Sequence, residues 1–330
     1  MTNKYSNVYI KCTSTVVGPY EHNGPLSKRF DKYYQDMYFG ESTFEQAEVK
    51  LIKDSIDIVL KKSNLKKDNI DLFISGDLEN QIAASTYAAS YLKKPFLGIY
   101  TACATNNEGL IIASNFIESK TCQNILVSCS SHNMVSERQF RNPTEYGAPK
   151  PSTATFTATG GVSCILTNKK TKVRIESSTI GTPIDYKLND PLDMGSIMVP
   201  AAADTINKHL KDLGRTTDYY DLILTGDLGK YGKEILKDFM KSEYAIELNN
   251  YNDCGTILYD LENQKEVLAG GSGPVCSPLV VYSDILKRME EGEFKKVLYV
   301  ATGALFNPTT VLQKSNIIGI ANAISLERVE

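Results

Sequence analysis

Asp68-Asn69-Ile70-Asp71-Leu72-Phe73-Ile74-Ser75-Gly76-Asp77-Leu78 returns 150 residues later as Asp218-Tyr219-Tyr220-Asp221-Leu222-Ile223-Leu224-Thr225-Gly226-Asp227-Leu228. Each copy passes from a polar turn into a continuous apolar run, the pattern of a strand buried on both faces. A second echo pairs Ile125-Leu126-Val127-Ser128-Cys129 with Val297-Leu298-Tyr299-Val300-Ala301, each behind an amphipathic helix pattern, at 109–119 and at 278–291. Ahead of the first copy, Phe44, Ala47, Leu51, Ile52, Ile56, Val59 and Leu60 form one helical stripe and predict a helix over 44–62. Ahead of the second, Ala202, Ile206, Leu210 and Leu213 predict a helix over 201–213. The same elements recur in the same order. The chain is therefore an α/β protein of two duplicated halves, with helices packed on mostly parallel sheets and pseudo-twofold symmetry between them. The polar, basic break Asn168-Lys169-Lys170-Thr171-Lys172 sets the halves at 1–170 and 171–330.

Composition narrows the function classes. The 330 residues carry 36 Lys plus Arg against 39 Asp plus Glu, a net charge of -3, which argues against a general nucleic-acid binder. Charged residues at 23% and apolar ones at 42% fit an ordinary globular chain. The seven cysteines, at 12, 103, 122, 129, 164, 254 and 276, show no paired CxxC spacing and no disulfide framework, so a reducing, cytoplasmic-type compartment is expected. The N-terminus leads into polar sequence rather than an apolar signal region, and no apolar run reaches the roughly 18 residues of a membrane span. A soluble protein is expected, without a cofactor.

One cysteine stands out. Pro95-Phe96-Leu97-Gly98-Ile99-Tyr100 reads as a strand, Thr101-Ala102-Cys103-Ala104-Thr105-Asn106 as a turn, and Gly109 to Ile117 as an apolar helix. Cys103 thus stands at a helix N-terminus, where unpaired N–H groups and the helix dipole are expected to lower a thiol's pKa and to hold an oxyanion. Of the three histidines, His22 and His209 read as surface residues. His132 follows the strand at 125–129 in Ser130-Ser131-His132-Asn133, and is either a pocket group or a satisfied structural histidine.

A strand, a cysteine and a helix within a duplicated architecture resemble the thiolase superfamily of thiolases and ketoacyl synthases, which implies a five-layered α/β/α/β/α fold. On that resemblance Cys103 matches the acyl-accepting cysteine. Asp193-Met194-Gly195-Ser196-Ile197-Met198-Val199-Pro200-Ala201 looks like the loop opening the second half, and Ala269-Gly270-Gly271-Ser272-Gly273-Pro274 resembles the Gly-His-Pro segment. The histidine of that segment is missing here, Ala301-Thr302-Gly303-Ala304 replaces the late cysteine, and Gly226-Asp227 stands where the synthases carry their histidine. Asn252 is a candidate for the synthases' catalytic amide. Cys103, His132 and Asn252 are therefore the catalytic candidates of a site kept as a pocket and stripped as a condensing enzyme.

Longer stretches are more specific: Val17-Gly18-Pro19, Ser130-Ser131-His132-Asn133, Glu137-Arg138-Gln139-Phe140-Arg141-Asn142-Pro143-Thr144-Glu145-Tyr146-Gly147, and Pro200-Ala201-Ala202-Ala203-Asp204-Thr205-Ile206. They resemble the stage V sporulation protein AD family, thiolase-like proteins of spore-forming Firmicutes. The resemblance implies binding of dipicolinic acid, pyridine-2,6-dicarboxylate, for its uptake into the developing spore. It also implies a peripheral place in a channel complex of the spore inner membrane, with its membrane subunits as partners, and a homodimer formed through a strand near 122–130. A planar dianion asks for guanidinium or ammonium donors and an aromatic wall. Arg138, Arg141, Tyr146 and Lys150 supply these groups, and with Cys103, His132 and Asp227 they form the candidate ligand set; solvated loop charges are the plain alternative. The ligand could be the free acid or its calcium chelate, but Asp77, Asp227 and Asp253 form no recognisable calcium loop and no metal site is expected. Two other functions stay open: an acyl-CoA or acyl-carrier acyltransferase or condensing enzyme using Cys103, and a purely structural channel subunit.

Overall fold

The computed structural model describes residues 1–140 and 149–329. Ten strands follow one another across the sheet as Phe96–Gly98, Leu72–Gly76, Asn124–Ser131, Gly160–Thr167, Tyr9–Val17, Val173–Thr179, Ile318–Arg328, Lys296–Leu305, Leu222–Thr225 and Tyr251–Asp253. The first five and the last five repeat one plan in opposite order: two parallel pairings at the rim, then two antiparallel ones toward the centre. Each half is thus mixed rather than mostly parallel. The central strands of the two halves pair at Tyr9 with Arg174 and Ile10 with Val173.

Strand alternation sends side chains to two layers. In the first half Phe73, Leu126 and Ile165 pack outward under the helix Phe44–Ser63, together with Ile52, Ile56 and Ala88 of the helix Ala83–Leu92. In the second half Ile223 and Leu298 pack outward under Met194–Leu213 and Gly229–Tyr244. Their neighbours Leu72, Ile74, Val127, Leu224, Val297 and Tyr299 point inward to one shared core. Two helical segments fill that core, Thr105–Glu118 and the run from Cys276 to Glu291, so the order of layers is helix, sheet, helix, sheet, helix.

The duplication extends to caps. Phe44–Ser63 and Met194–Leu213 each span 20 residues and end on a left-handed residue, Asn64 at φ 56° and Gly214 at φ 64°. The second helix starts seven residues earlier than its apolar stripe suggests, which corrects the loop expected over Asp193–Ala201. Asp193 accepts from the Ser196 N–H, and Pro200 lies inside the helix because burial on nearly every side holds it. The repeated aspartates explain why the motif survives in both halves. Asp71 Oδ2 accepts the N–H groups of Gln123 and Asn124 at 2.7 and 3.0 Å, and Asp221 Oδ2 accepts those of Lys295 and Lys296 at 2.6 and 2.8 Å. Each ties the start of one strand to the start of its parallel neighbour.

Two expectations change. The strand Asn124–Ser131 lies between Leu72–Gly76 and Gly160–Thr167, so neither of its edges is free to join a second subunit; the outer strand of that half is Phe96–Gly98. His209 is fully buried rather than on the surface. Its ring lies 2.7 Å from Thr179 Oγ1 and 2.6 Å from the Tyr220 hydroxyl, and burial together with the nearby Arg215 charge lowers its pKa to about 4.

Asp71→Ala and Asp221→Ala are each expected to cost about 1 to 2 kcal/mol, because two main-chain donors lose a charged acceptor. The two costs should add, since the sites lie in different halves. Urea denaturation of the two single variants and the double variant measures this.

Candidate functional site

The inner helices begin at the same place, and their starts form the floor of a narrow cavity of about 40 Å³. Cys103 sits in the short turn Ala102–Ala104 ahead of Thr105–Glu118, and Gly273 precedes the helix that opens at Cys276. The turn is tightly held. Ala102 adopts φ 51°, a left-handed conformation costly for alanine, and the Thr105 hydroxyl donates to its carbonyl at 2.7 Å. Gly303 supports the turn from the second half: a Cβ there would stand 2.5 Å from the Thr101 carbonyl oxygen.

The walls are apolar and aromatic. Tyr100, Phe140 and Phe306 line the cavity with Leu78, Met194 and Ala304, and the Phe140 and Phe306 rings meet edge to face at 5.4 Å. Polar groups are few: the floor residues Thr157 and Ser272, and Glu137 and Ser136 on the helix Asn133–Phe140. Glu137 accepts the Lys150 ammonium at 2.9 Å.

The electrostatics of the floor reverse one expectation. The buried Cys103 thiol donates to the Asp227 carboxylate. Burial first, then the Asp227 charge and this hydrogen bond, push the thiol well above its usual pKa. The helix terminus does not produce the lowered pKa predicted for it, because the nearest full charge is negative. Asp227 itself is held by the Thr302 hydroxyl at 2.7 Å and the Gly273 N–H at 3.1 Å. Burial, opposed by the hydrogen bonds from Cys103 and Thr302, raises it to about 7. Asp253 stands behind it, raised to about 6 by burial, and accepts the N–H groups of Leu228 and Gly229 at 3.0 Å each.

Of the predicted residues the structure brings together Cys103 and Asp227 at the floor, with Lys150 held through Glu137. It places the others elsewhere. His132 Nε2 donates to the Met37 carbonyl at 2.8 Å, Nδ1 accepts the Met134 N–H, and the ring packs on Phe39 and Phe44. Because a carbonyl can only accept, Nε2 carries the proton, and burial lowers the ring's pKa to about 4. It is a neutral structural histidine. Arg138 pairs with Glu45 over the Phe44 ring, and Asn252 accepts the Lys233 ammonium at 2.7 Å; neither lines the cavity. Arg141 and Tyr146 lie outside the described residues. Tyr100, Thr302 and Phe306 were not singled out in the sequence, although Tyr100 closes the run before the cysteine turn and Thr302 stands where the late cysteine was sought. Among the described residues no group of three His, Cys, Asp or Glu side chains is placed to hold a metal ion, and no helix is long and apolar enough to cross a membrane.

Comparison with known proteins agrees with this architecture. The family profile described as Stage V sporulation protein AD (SpoVAD) matches residues 2–327. The Stage V sporulation protein AD of Bacillus subtilis (strain 168) is 44% identical over 321 residues, covering 97% of this chain and 94% of that protein. Among solved structures, an OleA variant of Xanthomonas campestris superposes with a TM-score of 0.63 at 13% identity, covering 98% of this chain and 99% of that one. The 3-oxoacyl-[acyl-carrier-protein] synthase III of Aquifex aeolicus VF5 gives a TM-score of 0.59 at 13% identity, covering 97% and 99%. At that identity these two likenesses speak for the thiolase-like fold alone.

Two measurements test the floor. Asp227→Asn removes the charge facing the thiol, so alkylation of Cys103 by iodoacetamide at pH 7.5, followed by mass spectrometry, is expected to speed up several-fold; an unchanged rate would show that Asp227 does not control the thiol. The second concerns stability. A carboxyl whose folded pKa is about 7, against an ordinary 3.8, contributes stability that is full below about pH 4 and is lost as pH rises through 7. Wild-type unfolding midpoints should therefore fall between pH 5 and pH 8, and Asp227→Asn should flatten that fall.

Proposed function

The chain belongs to the stage V sporulation protein AD family, and on that premise we propose that it is a sporulation protein whose thiolase-type cavity captures dipicolinic acid without condensing chemistry. The observation that carries this is the Cys103 thiol donating to Asp227. Condensation begins with a thiolate, and a carboxylate against the sulfur disfavours that thiolate while offering nothing to polarise a thioester carbonyl.

The rest of the cavity suits a small flat ring. Tyr100, Phe140 and Phe306 offer faces and edges for a pyridine ring, and the narrow apolar walls exclude bulk water. Lys150 is the cation at hand. A ligand carboxylate can take the place of the Glu137 carboxylate on its ammonium, and in a calcium chelate the ion can face Glu137 instead. Arg141 follows Phe140 directly in the chain and stays in the proposed ligand set. The same proposal has the protein attach to the membrane subunits of a spore inner-membrane channel as a peripheral partner. It also pairs two copies through the outer strand Phe96–Gly98, whose Leu97 is exposed.

Isothermal titration with dipicolinic acid, with and without calcium, is the direct test, with pyridine-2-carboxylate and an acyl-CoA as comparison ligands. Saturable binding that needs both carboxylates is expected. Lys150→Ala and Arg141→Ala should each weaken it by about 1.5 to 3 kcal/mol, the worth of a charge-assisted hydrogen bond. Cys103→Ala should leave it nearly intact. An acyl adduct on Cys103 after incubation with acyl-CoA would return the chain to the acyltransferases. Absence of any saturable ligand would make it a structural subunit.

A further inference from the structure

The internal twofold relates two clefts between a sheet edge and an inner helix, and among the described residues one is filled along its length while the other is covered only in part. In the second half the chain's own N-terminal segment fills it. Thr2, Asn3 and Lys4 pair antiparallel with Thr179, Ser178 and Ser177, and the Tyr5 N–H donates to the Glu176 carbonyl at 2.9 Å. The segment then crosses the last turns of Thr105–Glu118. There Glu118 Oε2 accepts the N–H groups of Ser6 and Asn7 at 3.1 Å each, and Asn115 Nδ2 donates to the Tyr5 hydroxyl at 3.1 Å.

The first half has the matching walls. The strand pairings set Leu72 against Ile125 and Leu222 against Val297, so Ile125 corresponds to Val297, 172 residues on. The same spacing carries Asn115 to Lys287 and Glu118 to Glu290. Lys287 and Glu290, with Lys11, Cys12 and Thr13 of the strand Tyr9–Val17, line a cleft of about 320 Å³. Among the described residues that strand is paired on this edge at Tyr9 and Ile10, then at Thr15, whose carbonyl accepts the Asp31 N–H at 3.1 Å, and at Val16 and Val17. Between those points the Thr13 carbonyl accepts the Lys62 ammonium at 2.7 Å instead of a strand.

Two further features mark the open cleft as built for a ligand. Ser283 is 7% exposed, lines the cleft, and has no hydrogen-bond partner for its hydroxyl. It sits in a π-type turn, Val281–Ile285, a distortion of helices that recurs at functional sites and has no counterpart in Thr105–Glu118. The lining is also basic. Lys11, Arg29, Lys62 and Lys287 outnumber Asp31 and Glu290, in a chain whose net charge is -3; Lys62 is paired with Asp31 and Arg29 with Asp284, while Lys287 meets Glu291 only at 3.9 Å between exposed side chains.

We propose that this cleft is a docking site for an extended, acidic peptide segment of a partner protein. Its main-chain N–H groups take Glu290 as Ser6 and Asn7 take Glu118, and its carboxylates meet Lys11 and Lys287. Glu290 is available for this: its pairing with Lys172, at 3.6 Å between exposed side chains, is readily exchanged. The cleft shares no lining residue with the Cys103 cavity, so the proposal stands apart from the reading of that cavity.

The test is fluorescence polarisation with labelled hexapeptides in acidic, neutral and basic sets, about the length of Thr2–Asn7, titrated with the full chain. Saturable binding of acidic members is expected. It should weaken at least tenfold in Lys287→Glu and in Glu290→Ala, and also when two adjacent peptide amides are N-methylated. Both substitutions are on an exposed face, so unfolding midpoints and the dipicolinic acid titration should stay at wild-type values. No binding by any set, no charge preference, or equal binding by wild type and both variants would overturn the proposal.

Discussion

Two helical segments buried between two sheets are the constraint on which the rest of this structure depends. A helix covered on both faces must be apolar nearly all round, as Leu110, Ile111, Ala113 and Ile117 are in one and Leu279, Val280, Val281 and Ile285 in the other. Chemistry is then confined to the ends, where a helix leaves main-chain N–H groups unpaired. The two starts converge because the halves are related by a twofold, and a thiol at one start comes to face a carboxylate fixed by the other. Neither half could form this floor alone.

Duplication also shows where the halves have diverged. The first aspartate of the motif does the same work in both, tying neighbouring strand starts together at Asp71 and Asp221. The second does not. Asp77 accepts the N–H groups of Glu79 and Ser85 and so fixes the start of its own outer helix. Asp227 has been released from that duty, which Asp253 now performs for Leu228 and Gly229, and it crosses instead to Cys103. A buried carboxylate is costly unless hydrogen-bonded. Thr302, in the strand Lys296–Leu305, supplies the hydroxyl that makes Asp227 tolerable there.

The fold was legible because its determinants are local and occur twice: a helical stripe, a left-handed cap and a buried strand, each repeated 150 residues on. Errors arose where context overrules a local signal. The helix Met194–Leu213 extends through Pro200 because its surroundings are buried, which no stripe of four residues announces. His209 shares a face with Thr205, Ile206 and Leu210, so its burial was present in the spacing but hidden by the assumption that histidines face water. The site was less legible, since its decisive contact joins residues 103 and 227 from different halves. A helix terminus by itself argues for a reactive thiolate, and only the fold reveals the opposing carboxylate. His132 and Arg138 follow the right strand, yet they turn toward Phe39, Phe44 and Glu45 on the outer side.

The charge at Asp227 also orients the proposed ligand. A negative oxygen brought beside Asp227 either meets its charge or forces the carboxyl, whose pKa burial raises to about 7, to take up a proton. This weighs against the oxyanion of a condensing reaction beside Cys103, and equally against a dicarboxylate lying with its charges on the floor. In the proposed mode the ring is turned inward, against Tyr100, Phe140 and Phe306, with both carboxylates toward Glu137 and the Lys150 ammonium it accepts. The buried carboxyl at the floor thus bears on both readings at once: it disfavours the Cys103 thiolate, and in the proposed mode it turns a ligand's charges away from the floor and toward the entrance.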